Sequence, residues 1–93
     1  MRVLNNNSVQ GDGFTIAVRD IHAVSYEEND RTATVEIEGG MDDGEVDFLV
    51  YSETLDGWYV AGAWRPMSAE DKSRVLSKIS DALNLLKIRH RLD

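Results

Sequence analysis

The chain has no cysteine, only one proline and two histidines among its 93 residues. Without cysteine it forms neither a disulfide nor a thiolate metal site, so nothing marks an oxidising compartment. The segment 1–7 lacks the apolar core of a signal peptide, and no stretch approaches the roughly 18 apolar residues of a membrane-spanning helix. We therefore expect a cytoplasmic protein.

Basic residues are also scarce. Ten lysines and arginines face 17 aspartates and glutamates, which gives a net charge of −7. Between Glu27 and Asp56 the sequence holds eleven acidic residues and one basic residue, Arg31. Such a charge disfavours binding to nucleic acid or to an anionic membrane, and it favours a basic partner. We expect no nucleic-acid partner and no membrane partner.

Residues for catalysis or metal binding are missing as well. The two histidines, His22 and His90, are far apart in sequence and have no carboxylates that can be placed beside them. Ser68 is the best-placed serine, but its position predicts a helix cap rather than a nucleophile. The run 42–45 lacks the alternating ligands of a calcium-binding loop. The sequence therefore predicts no enzyme, no metal site and no cofactor.

Short segments of alternating apolar and polar residues predict strands. The pattern occurs in segments 14–18, 22–26, 33–37 and 46–50, and the aromatic run 58–64 is interpreted as one last strand. Glu28 to Arg31 carries the residue types of a hairpin turn, and segment 39–44 is predicted to be an exposed loop. All of these strands lie within residues 1–64.

A helix is predicted from about residue 69 to 88. Ser68 followed by Asp71 resembles a capping box, and Pro66 ends the preceding strand. The apolar residues of the helix recur at spacings of three and four, and they are Val75, Leu76, Ile79, Ala82, Leu83 and Leu86. A basic tail, 87–93, follows.

The order of elements predicts one domain over residues 1–93 of α+β class. We expect an antiparallel meander of about five strands, with the long amphipathic C-terminal helix packed on one face.

The acidic stretch and the aromatic run give a candidate partner-binding surface. Aromatic residues dominate protein-binding hot spots, although the sequence does not show which of Trp58 and Trp64 is in the core. The candidate contact residues are Glu36, Glu38, Asp42, Asp43, Glu45, Asp47, Glu53, Asp56, Trp58 and Tyr59. The alternative is a solvated sheet face that only keeps the protein soluble.

Residues 45–86 resemble small α+β immunity proteins of bacterial polymorphic toxin and contact-dependent growth inhibition systems. The resemblance lies in Trp64-x-Pro66, in Glu70 and in the helix face of Ile79. It implies a cytoplasmic protein that neutralises a cognate toxin domain, commonly a nuclease. No site residue is carried over from that family, and residues 1–40 are outside the resemblance.

Together the charge and the resemblance lead to one hypothesis, a stoichiometric inhibitor that binds the basic surface of a toxin domain. The alternative is an acidic secretion chaperone or adaptor that binds a protein client. Such chaperones usually need more helix and a dimer interface, and the single predicted helix argues against this alternative. We expect a monomer in preference to a dimer.

Replacing Ile79 by aspartate tests the predicted helix face. The substitution places an unpaired charge among apolar side chains, so it should cost several kcal/mol and unfold the domain. Thermal unfolding measures the effect, and an unchanged melting temperature would show that the helix face is misplaced.

Overall fold

The structure is a computed structural model that describes residues 1–39 and 45–93. The described residues form nine strands and one α-helix, α1 (Ala69–Leu85). The strands are β1 (Arg2–Asn5), β2 (Ser8–Gly11), β3 (Phe14–Val18), β4 (Ala23–Glu28), β5 (Arg31–Gly39), β6 (Phe48–Tyr51), β7 (Gly57–Val60), β8 (Ala63–Pro66) and β9 (His90–Leu92). The α+β class and the C-terminal helix are confirmed. The prediction of about five strands is wrong.

All strands belong to one sheet. Its main order is β1-β2-β3-β4-β5-β6-β9, and the β7-β8 hairpin also pairs with β5. Every pairing is antiparallel except that between β6 and β9, which is parallel. The sheet is therefore mixed, and the prediction of a purely antiparallel meander is corrected.

The strand predictions missed a hairpin at the N-terminus. β1 and β2 are joined by a turn at Asn6 and Asn7, where Asn5 Oδ1 accepts a hydrogen bond from the Asn7 N–H at 2.8 Å. Asparagine favours such turns because its side chain bonds to the backbone two residues on. One position is also corrected near β4, because His22 lies in a bend before that strand and not within it.

The aromatic run forms two strands, so its prediction as a single strand is wrong. Ala61 and Gly62 have φ angles of 51° and 82°, and these positive values match the tight turn that a two-residue hairpin loop requires. Asn-Gly is the usual sequence for such a turn, and alanine at the first position hides the signal. The hairpin reverses the chain, so Tyr59 lies directly opposite Trp64.

Strand β5 pairs with two strands along the same edge. Its first residues pair with β7, whereas Glu36 to Gly39 pair with β6. A 3₁₀ turn, Ser52–Thr54, lies between β6 and β7. Its Thr54 hydroxyl accepts a hydrogen bond from the Glu36 N–H at 2.8 Å and donates one to the Tyr51 carbonyl at 2.7 Å. Thr54 thus satisfies backbone groups where β6 and β7 diverge.

Helix α1 begins as predicted. Ser68 has extended backbone angles, and its Oγ accepts a hydrogen bond from the Asp71 N–H at 3.1 Å. The apolar stripe of the helix packs on one side of the sheet, which we call the inner face. The fully buried helix residues are Val75, Ile79, Ala82 and Leu83, and they join the inward side chains of β2 to β6 in one cluster.

The helix ends three residues earlier than its predicted boundary. Lys87 takes a left-handed conformation with φ 62°, and the Ile88 N–H donates to the Leu83 carbonyl at 2.9 Å. This is a Schellman ending, which usually has glycine at the position of Lys87. The reversal returns the chain to the sheet, so the predicted basic tail forms β9.

Thr54→Val should destabilise the domain by about 1 to 2 kcal/mol. The substitution keeps the side-chain shape but removes the hydroxyl, which leaves the Glu36 N–H without its acceptor. Thr54→Ser is the matched control, because serine keeps the hydroxyl. Urea unfolding of the three proteins measures the difference, and a valine variant as stable as the serine variant would contradict this role.

Candidate interaction surface

Among the residues that the structure describes, no helix packs on the side of the sheet opposite α1. Because side chains alternate along a strand, burial of Ala33, Val35 and Ile37 on the inner face directs their neighbours to the other side. We call this side the outer face. Its residues on β4, β5, β7 and β8 are Glu27, Thr32, Thr34, Glu36, Glu38, Tyr59 and Trp64.

Five of the strands place one continuous row of residues across the outer face. The register pairs Thr15 with Glu27, Glu27 with Thr32, Thr32 with Tyr59, and Tyr59 with Trp64. Neighbouring strands are about 4.8 Å apart, so each side chain lies next to the following one. The row thus brings a carboxylate, two small hydroxyl residues and two aromatic rings onto one surface.

The two aromatic residues of the row are well exposed. Tyr59 is 53% and Trp64 is 47% exposed. The Trp64 ring lies against the backbone of Gly57, because a Cβ atom built there would be 2.1 Å from Trp64 Nε1. Because Gly57 has no side chain, the Trp64 indole packs directly against the backbone there. The rest of the ring remains exposed to solvent.

Trp58 lies in the core instead. It is 3% exposed, and its ring centroid is 6.0 Å from that of Tyr26. Its ring is therefore not part of the exposed surface to which the sequence-based prediction assigned it. Trp64 is the exposed tryptophan.

Two predicted contact residues, Glu36 and Glu38, are exposed on the outer face. Tyr51 lies on the same side, directly opposite Glu36, and its hydroxyl donates a hydrogen bond to Glu38 Oε2. This hydrogen bond raises the pKa of Tyr51. The carboxylates of the outer face therefore lie on β4 and β5, and Tyr51 of β6 is bonded to one of them.

Asp47 has an intramolecular partner. Arg89 donates to its carboxylate from the backbone N–H at 2.9 Å and from the side chain at 3.1 Å. These hydrogen bonds lower the pKa of Asp47. Because Arg89 precedes β9, the ion pair helps to hold the C-terminal strand beside β6. The charge of Asp47 is therefore paired within the protein.

The other predicted contact residues lie apart from the row. Glu53 and Asp56 are exposed in the connection between β6 and β7, and Glu45 is exposed before β6. Asp42 and Asp43 lie outside the described residues. The predicted set is thus divided among several places, and the structure brings only part of it together with Tyr59.

Glu27, Thr32 and Trp64 were not among the candidate contact residues, although Glu27 begins the acidic stretch and Trp64 belongs to the aromatic run. Glu27 and Thr32 have the opposite parity to the buried Tyr26 and Ala33, so the strand alternation already indicated their side. Trp64 was hidden by the Ala-Gly turn, because only a chain reversal at Ala61 and Gly62 places it beside Tyr59.

A second polar cluster lies on the inner face, beside the start of α1. Glu28 is 8% exposed and accepts hydrogen bonds from Tyr26 Oη at 2.7 Å, from Arg31 at 2.8 Å and from Arg74 at 2.6 Å. Asp71 lies 3.2 Å from Arg74 and 3.8 Å from Arg31. The cluster joins α1 to the β4-β5 hairpin.

The cluster shifts the acid-base properties of its members. Burial alone would raise the pKa of Glu28, but the bonds from Arg74, Arg31 and Tyr26 outweigh it and hold the pKa at about 2. Burial and the neighbouring Glu28 raise the pKa of Tyr26 to about 12. Glu28 is therefore ionised at neutral pH, and its charge is paired with Arg74 and Arg31.

A serine and a histidine also meet in the structure. Ser80 Oγ lies 2.7 Å from His90 Nε2, and His90 Nδ1 lies 3.1 Å from the Ile88 carbonyl. Since a carbonyl only accepts, His90 Nδ1 donates to it, and the neutral ring then accepts from the Ser80 hydroxyl. The pair ties β9 to α1. Within residues 1–39 and 45–93, no three His, Asp or Glu side chains are grouped to hold a metal ion.

No protein-family model, curated protein or solved structure matches this chain significantly. The described part of the chain contains no helix with both the length and the apolarity to cross a membrane.

Glu28→Gln should destabilise the domain by roughly 2 to 3 kcal/mol at neutral pH, because it removes a paired charge and leaves two arginines without their partner. Because the folded pKa lies below the usual 4.5, this stabilisation is complete above about pH 5 and is lost as the pH falls toward 2. Urea unfolding of both proteins at several pH values tests this. The difference in unfolding free energy between the two proteins should become smaller in acid. A difference that does not change with pH would contradict this role of Glu28.

Proposed function

We propose that this chain is a stoichiometric protein-binding inhibitor of immunity type, which neutralises a basic toxin domain by covering it with the outer face. The observation that supports this most directly is the composition of that face. Glu27, Glu36 and Glu38 share it with the exposed rings of Tyr59 and Trp64. Carboxylates and exposed aromatic residues on one surface suit recognition of a cationic protein.

The construction of the face also suits a rigid binding platform. The residues on β4, β5 and β7 are on strands that pair with neighbours on both sides, and β8, which carries Trp64, pairs with β7. The inner face packs against α1. A site on regular strands keeps its geometry before the partner arrives, so little conformational entropy is lost on binding.

Charge complementarity would act mainly on the rate of association. An acidic surface on a protein of net charge −7 attracts a basic domain over several ångströms, and the attraction weakens with ionic strength. The aromatic pair would supply the desolvated centre, which mainly sets the lifetime of the complex.

The proposed partner is the catalytic domain of a nuclease toxin. A nuclease must attract the phosphate backbone of its substrate, so the surface around its active site is basic. An acidic protein face bound there would compete with nucleic acid for the same surface. We propose that this inhibition occurs in the cytoplasm and that the inhibitor acts as a monomer.

Co-expression with the candidate toxin tests the function. The toxin domain is taken from the gene immediately upstream, and growth of a bacterial host is measured with and without this chain. Restored growth and a complex of one copy of each protein by native mass spectrometry support the proposal. Growth arrest that continues in the presence of the folded chain contradicts it, as does the absence of any toxin gene beside this one.

Neutralising the outer face should slow association. We predict that the triple variant Glu27→Gln, Glu36→Gln, Glu38→Gln binds the toxin domain several-fold more slowly at low salt, with its fold unchanged. Raising the ionic strength from about 0.01 to 0.15 M shortens the screening length from roughly 30 to 8 Å, so the wild type should lose more rate than the variant.

The matched control makes the same change in net charge elsewhere. Asp12→Asn, Asp30→Asn, Asp81→Asn alters two exposed hairpin turns and the exposed side of α1. Stopped-flow binding over a salt series compares the three proteins. Equal losses in both triple variants would mean that net charge acts without a defined face.

A further inference from the structure

We propose that the outer face recognises an arginine side chain of the partner, which lies over Thr32 between Glu27 and the Tyr59–Trp64 pair. This inference rests on the proposed function, because it specifies the chemistry of a protein partner at the same surface. Two observations support it: the register of three strands on the outer face, and an arginine on the inner face that lies between a carboxylate and an aromatic ring.

The first observation is the shape of the row at Thr32. This small residue on β5 has Glu27 of β4 directly on one side and Tyr59 of β7 directly on the other. The spacing of strands places each flanking residue about 4.8 Å from Thr32. Both flanking side chains are larger and exposed, so Thr32 is the floor of a shallow notch with a carboxylate on one side and an aromatic ring on the other.

The second observation comes from the same three strands on their inner face. There, β5 supplies Arg31, whose guanidinium carbon lies 3.9 Å from the centre of the Trp58 ring. The same guanidinium lies 2.8 Å from a Glu28 carboxylate oxygen. An arginine thus bridges a carboxylate of β4 and an aromatic ring of β7.

The outer face has a related arrangement with a different residue on the middle strand. Glu27 and Thr32 form the pair next to that of Glu28 and Arg31. On β7, Tyr59 is directly opposite Thr32, whereas Arg31 is directly opposite Val60 and contacts the Trp58 ring diagonally. An arginine from another protein that enters over the short hydroxyl side chain of Thr32 would also lie between a carboxylate of β4 and an aromatic ring of β7.

The flanking rings favour arginine over lysine. Trp64 packs against Gly57 and is 47% exposed, and Tyr59 lies directly opposite it. A planar guanidinium can stack on such rings while its N–H groups bond to a carboxylate, whereas an ammonium group cannot stack. Three arginines of the described residues also reach the outer face. Arg2 bonds to Gln10, Arg19 bonds to Ser25, and Arg91 of β9 is paired with Leu49 of β6, so all three lie away from Tyr59.

A peptide titration tests the inference without the toxin. The probe is a six-residue peptide with three arginines, and its controls replace each arginine by lysine or by citrulline, which is planar but uncharged. Proton-nitrogen NMR spectra of the full chain locate the binding. The two indole N–H signals report separately, because Trp64 is exposed and Trp58 is buried.

We expect the arginine peptide to shift the Trp64 indole signal and the amides of Glu27, Thr32 and Tyr59, and to leave the Trp58 indole signal in place. It should bind roughly 5-fold or more tightly than the citrulline peptide and more tightly than the lysine peptide. Equal binding of the arginine and citrulline peptides would overturn the inference, as would shifts confined to Glu53 and Asp56.

Thr32→Arg is the decisive variant. It supplies an arginine from β5 itself, so it should fold normally, occupy the notch and abolish the shift at Trp64. Ser77→Arg adds the same charge to the exposed side of α1 and should leave peptide binding unchanged. If Thr32→Arg binds the peptide as well as Ser77→Arg does, the proposed position is wrong.

The toxin experiment tests the proposed function, and the peptide experiment tests the arginine notch, so either proposal can be rejected without the other. Neutralisation of the toxin without peptide shifts at Trp64 would keep the inhibitor function and reject the arginine notch. Peptide binding at the notch without neutralisation would keep the notch and reject the toxin partner.

Discussion

The pairing of β5 is the constraint on which the rest of the structure depends. This strand pairs with β4 on one edge and with both β6 and β7 on the other, so it holds the two halves of the sheet together. Its alternation also separates two tasks, because Ala33, Val35 and Ile37 enter the core while the residues between them form the outer face. A shift of one residue in its register would exchange the two sets, so the core fixes the position of the surface.

A count of charges in the sequence overestimates how many unpaired carboxylates the acidic stretch presents. Glu28 is bonded to Arg31 and Arg74, and Asp47 is bonded to Arg89. Two of these arginines come from the C-terminal third of the sequence. The segment between Glu27 and Asp56 therefore carries less unpaired negative charge in the folded protein than its own residues indicate. The carboxylates that share the outer face with the exposed rings are those of Glu27, Glu36 and Glu38.

Local patterns predicted the elements that local forces determine. The Ser68 cap, the apolar stripe of α1 and the alternation of β3 and β5 were all predictable, because each depends on neighbours within a few residues. The ending at Lys87 and the turn at Ala61 use residues that rarely take positive φ, so their signals were weak. The parallel pairing of β9 with β6 and the burial of Trp58 depend on distant contacts, which no local pattern contains.

Because side chains alternate along the strands, residues of the proposed binding surface can be substituted without changing the packing of the core. A change at Glu27 or Thr32 alters a side chain on the outer face, whereas its neighbours Tyr26 and Ala33 remain packed against the inner cluster. Trp64 is the exception, because its seat on Gly57 ties the exposed indole to the backbone of β7. The proposed inhibitor could change its carboxylates to follow a changing partner, while Gly57 and Trp64 would have to change together. Partner specificity would therefore be set by the β4 and β5 positions, and the aromatic pair would be the constant part of the surface.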